Sequence, residues 1–281
     1  MKVKRNKLYL GFIIALFSFV YISECVNAAE YKNYFGITMT NEQYNNLINL
    51  GFSENEIYYM NEETFEQNKD IESELVVKSN KYYKTIYTNL NGDTYSTEIT
   101  KEEYDNESLM NTRGYVNTEY KNMVSTMSKL TDSFRYKVTV NWNIMPKKRS
   151  YDIIGIGFED HVRINSLVNF SYTYADANGN YTTSTLYYGK KSTATGGSAV
   201  YKVPDTLYSL STVLYYDVVK ETSSTITRLD MCGDYSHATS NVSNSTANNH
   251  EITINGIELG TSSISYYDAI PCADGVWYGT W

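Results

Sequence analysis

Apart from Lys147-Lys148-Arg149, clustered basic residues are missing from the body of this 281-residue sequence. Nucleic-acid binding requires lysine and arginine gathered against phosphates. A chain of net charge −8 without a basic stripe excludes it. Long apolar runs are as scarce: Leu8 to Ile22 stands at the N-terminus and is near the lower limit for a membrane span. Cysteine occurs three times, as Cys25, Cys232 and Cys272. No Gly-x-Ser-x-Gly elbow occurs, which removes the usual signature of a serine hydrolase.

The N-terminus itself carries a targeting pattern. Lys2, Lys4, Arg5 and Lys7 precede the apolar run, and Val26-Asn27-Ala28 offers small residues for cleavage. Residues 1–28 therefore read as a signal peptide, and no stable membrane span remains after its removal. Ser23-Glu24 before Cys25 does not look like a lipobox. The expectation is a protein secreted or held at the extracellular surface of a bacterial cell. Cys232 and Cys272 then remain as an even pair in an oxidising compartment, which predicts a disulfide. The alternative is a metal site of Cys232, His237, His250 and Cys272, whose spacing fits no usual zinc pattern. No metal and no cofactor are expected.

Charge divides the mature chain. Residues 30–110 carry 6 basic and 16 acidic side chains, whereas residues 111–281 carry 14 and 15. The expected organisation is a small helical module over 29–75, a hairpin with a short helix or linker over 76–110, and an antiparallel β-sandwich over 111–281. In the helical part, Thr40 with Gln43 and Ser53 with Glu56 are successive capping boxes. Asn61 can cap a third helix, and Gly51 can end the first. Leu47, Ile48, Phe52, Ile57, Met60 and Phe65 are the expected core of three short helices. The run "LINLGFSENEI" resembles the loop between the first two helices of ubiquitin-associated domains, and an exported chain draws no function from it. "KYYKTIYTNLNGDTYSTEIT" then reads as a hairpin turning at Asn91-Gly92, and Thr100 with Glu103 starts a helix at Lys101.

From Phe134 the period is two. Phe134, Tyr136, Val138, Val140, Trp142 and Ile144 alternate with Arg135, Lys137, Thr139, Asn141 and Asn143, as in a strand with one dry face. Pro146 to Ser150 breaks it as a basic loop, and Ile154, Ile156 and Phe158 mark the next strand. "VNFSYTYADANGNYTTSTLYY" is a hairpin around Asn178-Gly179. "LSTVLYYDVV", apolar on both faces, is a central strand, and "SSTITRLDM" and "HEITINGIEL" add two more. At least seven strands with turn signals between them predict an α+β chain whose larger part is a mostly antiparallel sandwich. Together "LGFSENEIYYMNEETFEQNKDIE", "KYYKTIYT" and "WNIMPKKRSYDIIGIGF" resemble uncharacterised exported proteins of low-GC Gram-positive bacteria. That resemblance implies a shared architecture over most of the mature chain and carries no activity or site residue.

Several patterns bear on chemistry. Gly155-Ile156-Gly157 lacks the third glycine and following helix of a dinucleotide loop. It reads as a bend, a bulge or a strand over which a ring lies close. Lys147, Lys148 and Arg149 are a candidate anionic contact, although polybasic binding takes larger clusters. Asp160-His161, Cys232 with His237, and the acids Glu159, Asp160, Asp230 and Asp234 are the materials for an unrecognised hydrolase. Serine- and threonine-rich stretches near the C-terminus raise membrane insertion, which needs spanning strands of about 9–11 residues. Trp277, Tyr278 and Trp281, with Tyr181, Tyr187 and Tyr188, are candidate ligand-binding aromatics if they lie exposed. Taken together, these features point to a non-catalytic surface or secreted module for cell-envelope or host glycans. Neither the particular ligand nor the oligomeric state is written in them.

Overall fold

The computed structural model describes residues 30–87, 94–110, 118–268 and 270–281. The expected signal peptide over residues 1–28 and the expected Asn91-Gly92 turn lie outside the described residues. A short hairpin of β1 (Tyr31–Lys32) and β2 (Thr38–Met39) leads into helices α1 (Asn41–Asn49), α2 (Glu54–Tyr58) and α3 (Glu62–Asn68). Both capping boxes form, and the Asn61 side chain accepts the Thr64 N–H at the start of α3. Gly51 takes φ +86°, the left-handed turn that leaves α1.

Two antiparallel sheets make up most of the remaining described residues. The larger uses β3 (Glu74–Tyr87), β4 (Thr94–Ile99), β5 (Thr118–Lys129), β6 (Phe134–Ile144), β8 (Val162–Ile164), β9 (Asn169–Ala175), β10 (Tyr181–Ser184) and β13 (Ser209–Lys220). Its order is β10-β9-β13-β6-β5-β3-β4, with β8 pairing the end of β13. The smaller runs β11 (Gly189–Thr193), β12 (Gly196–Lys202), β7 (Tyr151–Phe158), β14 (Arg228–Ser236) and β17 (Ala273–Tyr278). Helix α4 (Lys101–Met110) starts from Thr100, whose side chain accepts the Glu103 N–H. The expected hairpin is therefore present as β3 and β4, and it extends the same sheet that β5 and β6 continue.

The sheets share one core. Phe134, Tyr136, Val138 and Val140 of β6 pack with Ile154, Ile156 and Phe158 of β7 and Leu214 and Tyr216 of β13. β13 is central, as its two apolar faces predict: Val213 and Tyr215 point the other way, into a second cluster with Leu47, Phe52, Ile57 and Phe65. The helices thus bury their apolar stripes on the outer face of the larger sheet. This corrects the expectation of a single dry face on β6, because Arg135, Lys137 and Thr139 are buried beneath the helical layer. Arg135 pairs with Asp217, and Lys137 with Glu56.

The outer face of the smaller sheet is covered too. Helix α5 (Asn244–Ala247) and the hairpin β15 (His250–Thr253) and β16 (Gly256–Leu259) pack over Ile153 and Val200. "HEITINGIEL" is therefore two strands turning before Gly256 (φ +97°), not one. The glycines of β7 lie under this hairpin: a Cβ on Gly157 would stand 1.8 Å from the Thr253 carbonyl oxygen. The close neighbour is hairpin backbone rather than an aromatic ring.

Candidate functional site

The aromatic candidates part company in the fold. Trp277 is 8% exposed and packs on Phe134, ring centroids 4.9 Å apart. Trp281 meets the same Phe134 ring at 4.9 Å. Both complete the core, and Tyr278 alone of that trio faces solvent, beneath the Arg228 guanidinium. Tyr187 and Tyr188 are exposed, with Lys190 over the Tyr187 ring and Tyr151 against Tyr188. The condition of exposure is therefore not met by Trp277, and the C-terminal tryptophans serve core packing.

Tyr181 belongs to a different group. Its ring stacks on Tyr59, centroids 3.8 Å apart and 16° from parallel. Tyr34 touches both rings, and Phe35 and Tyr58 extend the patch. Tyr34, Phe35 and Tyr58 are each about two-fifths exposed. Local backbone makes this arrangement. Tyr58 and Tyr59 stand at the end of α2, Tyr34 and Phe35 in the β1–β2 turn, and Tyr181 at the start of β10. Hydrogen bonds tie these parts together: the Tyr34 N–H donates to the Tyr58 carbonyl, and the Thr183 hydroxyl to the Tyr59 carbonyl. Burial and the Tyr181 hydroxyl push the Tyr59 phenol up, so it stays protonated and able to donate.

A groove of about 140 Å³ opens beside the stack, between the helical layer and the sheet. Asn55, Asn61, Asn141, Thr173, Ser209 and Ser211 supply amides and hydroxyls along it, and Tyr59 and Tyr181 form an aromatic wall. Its one carboxylate, Glu56, is already held by Lys137 and Thr139. Burial opposes the Glu56 charge, but the Lys137 ammonium together with hydrogen bonds from the Ser53 N–H and the Thr139 hydroxyl outweighs it and holds the carboxyl below its ordinary range. Enclosed small-molecule pockets run to roughly 300–1,000 Å³. This groove is shallow, suited to a flat or extended ligand lying across it.

The basic loop joins β6 to β7 across the two sheets. Lys147 and Lys148 are exposed, but Arg149 donates to the Asp205 carbonyl and Lys147 donates its backbone N–H to Glu119. Two of the three residues thus fasten the loop.

Among the described residues, no catalytic constellation gathers in the groove or in the two depressions near Tyr187 and Tyr208. Asp160 and His161 are exposed at 3.6 Å. Glu159 is hydrogen-bonded to Asp230, and this contact, with partial burial, raises its carboxyl to about 7. Glycosidase carboxylates stand at least about 5 Å apart, so this pair is too close for that chemistry. Asp234 is buried, which pushes it up to about 6, and it accepts the N–H groups of Tyr235 and Ile257. Cys232 is bridged to Cys272, Cα atoms 5.6 Å apart, so no thiol is left for His237. His237 Nδ1 instead lies 2.9 Å from Asp152, and His250 bonds Ser198 and the Ala247 carbonyl. The four-residue metal alternative is therefore dispersed. Among the described residues, Cys232, Cys272 and Asp274 come together, with both sulfurs spent in the disulfide.

The serine- and threonine-rich stretches are folded on the sandwich, and β15 and β16 have four residues each, short of a spanning strand. No helix among the described residues is long and apolar enough to cross a membrane.

Of the rings that pack together here, Tyr181 is singled out from the sequence, and Tyr34, Phe35, Tyr58 and Tyr59 are not. Tyr58-Tyr59 directly after the short α2 was the available signal, since an aromatic pair at a helix end cannot bury both rings on one stripe.

No protein-family model matches the chain, and the comparison with curated proteins gives no match. Among solved structures, the chain is similar to the full-length major pilin SpaD from Corynebacterium diphtheriae at 8% identity and a TM-score of 0.25. The likeness covers 56% of this chain, and it spans about half of the pilin, 56% of that chain.

Proposed function

We propose that this is an exported, non-catalytic protein of the cell surface or secreted space that binds glycans of the cell envelope or host. The observation that carries the reading is the exposed aromatic patch around the Tyr59–Tyr181 stack, continuous with an amide- and hydroxyl-lined groove. A sugar ring presents an apolar face, which packs on an aromatic ring, and a hydroxyl rim that needs polar partners. The patch supplies the first and the groove the second. A shallow groove also accommodates a chain of sugars whose ends continue beyond it. Exposed apolar area of this kind is characteristic of interaction sites.

The disulfide supports export, since such bonds persist in oxidising compartments. A hydrolase is less well supported, because Glu159 and Asp230 touch each other outside the groove. The test is a glycan array together with pull-down on purified cell walls, using the secreted protein. Saturable binding lost with Tyr34→Ala/Tyr58→Ala supports the reading. Blank results on both supports would overturn it.

A further inference from the structure

Lys121 and Asp268 form an ion pair inside the sandwich, with side chains 1% and 0% exposed. β5 supplies the lysine at a register shift, and the segment leading into β17 supplies the aspartate. The other neighbours of the ammonium are rings: Trp142 at 4.7 Å and Tyr235 at 5.8 Å. An ammonium carries three N–H donors, and Asp268 is the hydrogen-bond acceptor Lys121 meets among the described residues. Lys137, also buried, is different: it reaches the Gly51 carbonyl, Glu56 and the Thr139 hydroxyl. A buried charge normally recruits such partners, because stripping it of water is costly. Lys121 has one acceptor and two aromatic faces.

We propose that Lys121 and Asp268 condense into an intramolecular amide, a covalent tie between the two sheets. Transfer of a proton within the pair gives a neutral amine against a neutral carboxylic acid. The lysine Nζ lone pair attacks Asp268 Cγ, the Nζ–Cγ bond forms, and the Cγ–Oδ2 bond breaks. Oδ2 departs with two hydrogens from the original ammonium as one water molecule. Charge cancels on both sides, and neither oxidant nor activating group is consumed. Proximity replaces the missing activation, because both groups are held in contact in a water-poor site.

The surroundings match the product. Asp268 Oδ1 already accepts the His237 backbone N–H at 2.7 Å, the bond an amide carbonyl would keep. The amide has one N–H where the ammonium had three, and the two buried charges disappear. His237 also packs edge-on against Trp142, the ring that covers Lys121. His237 Nε2 and Glu119 Oε2, 3.8 Å apart, are buried without hydrogen-bond partners. In this scheme they relay the protons exchanged on the way to the amide.

The tie joins β5 of the larger sheet to the strand entry that Cys272 fastens to β14. Its test is the mass of the folded, secreted protein after reduction of the disulfide. The expected mass is lower than the sequence mass by one water. Digestion should yield a branched peptide joining the Lys121 and Asp268 segments, with no tryptic cleavage after Lys121. Asp268→Ala and Lys121→Arg should each restore the full mass. Full mass in the wild type, or a water loss mapped to another position, would overturn the proposal. The decisive reading is on the wild-type chain, so it does not depend on the variants folding.

Discussion

Lys137 of β6 and Glu56 of α2 meet at 2.8 Å in a site where their side chains are 1% and 8% exposed. The helical layer and the sheet are joined through this charge pair as well as through apolar packing. Thr139 donates to Glu56, and the Gly51 carbonyl accepts from Lys137, so both charges are well partnered.

Removing one partner is therefore more damaging than removing both. Lys137→Met leaves the Glu56 carboxylate buried and uncompensated, which should cost about 3–5 kcal/mol. The double variant Lys137→Met/Glu56→Leu should recover a substantial part of that loss. Chemical denaturation of the two variants and the wild type checks this. Equal losses in the single and double variants would show that the stranded Glu56 carboxylate is not the source of the loss.

A pH effect arises from Glu159. Contact with Asp230 and burial raise its carboxyl from 4.5 to about 7 in the folded chain. The folded state then binds the proton more tightly than the unfolded state, so stability falls as pH rises through that window and levels off above it. Below pH 4.5 both states are protonated and the contribution is intact. Glu159→Gln should flatten the decline between about pH 4.5 and 7. Thermal melts of wild type and variant at pH 5 and pH 8 measure it; parallel shifts in both proteins would refute the assignment.

His250 works in the opposite direction. Burial lowers its pKa from 6.5 to about 4. Nδ1–H donates to the Ala247 carbonyl and Nε2 accepts from Ser198, which leaves no place for a second ring proton. The unfolded chain takes up that proton first, so stability falls as pH drops from 6.5 towards 4. The loss should reach roughly 2–4 kcal/mol at the acid end. Proteolysis of the β15–β16 hairpin should accelerate in that window. A protection pattern that is flat from pH 7 to pH 4 would count against it.

Local rules carried the sequence a long way. The capping boxes at Thr40 and Ser53, the central character of β13 and the Cys232–Cys272 pair all rest on neighbours in sequence or on composition, and all are present in the structure. What local rules do not contain is which surface covers which. Arg135 and Lys137 read as solvated because alternation marks them as the wet face of β6, and only the docked helices make that face dry. Closeness in sequence leaves open whether Trp277 and Trp281 face solvent or the core, and it is Phe134 that draws both inward. The aromatic patch joins residues of the β1–β2 turn, α2 and β10, which no spacing brings together.

That patch gives the sharpest functional expectation. Tyr34 and Tyr58 are about two-fifths exposed and stand outside the helical core cluster, so replacing both by alanine should shift stability by no more than about 1 kcal/mol. If they grip a sugar ring, the same change should weaken glycan binding at least tenfold, about 1.4 kcal/mol. Tyr278→Ala is the matched control, because Tyr278 is 72% exposed at the far end of β17 and belongs to no such patch. Affinity measured by calorimetry against the best array ligand separates the outcomes. Loss with Tyr34→Ala/Tyr58→Ala alone places the ligand on the Tyr59–Tyr181 stack. Equal loss in the control points to nonspecific adhesion through exposed rings, and no loss in either moves the ligand off both surfaces.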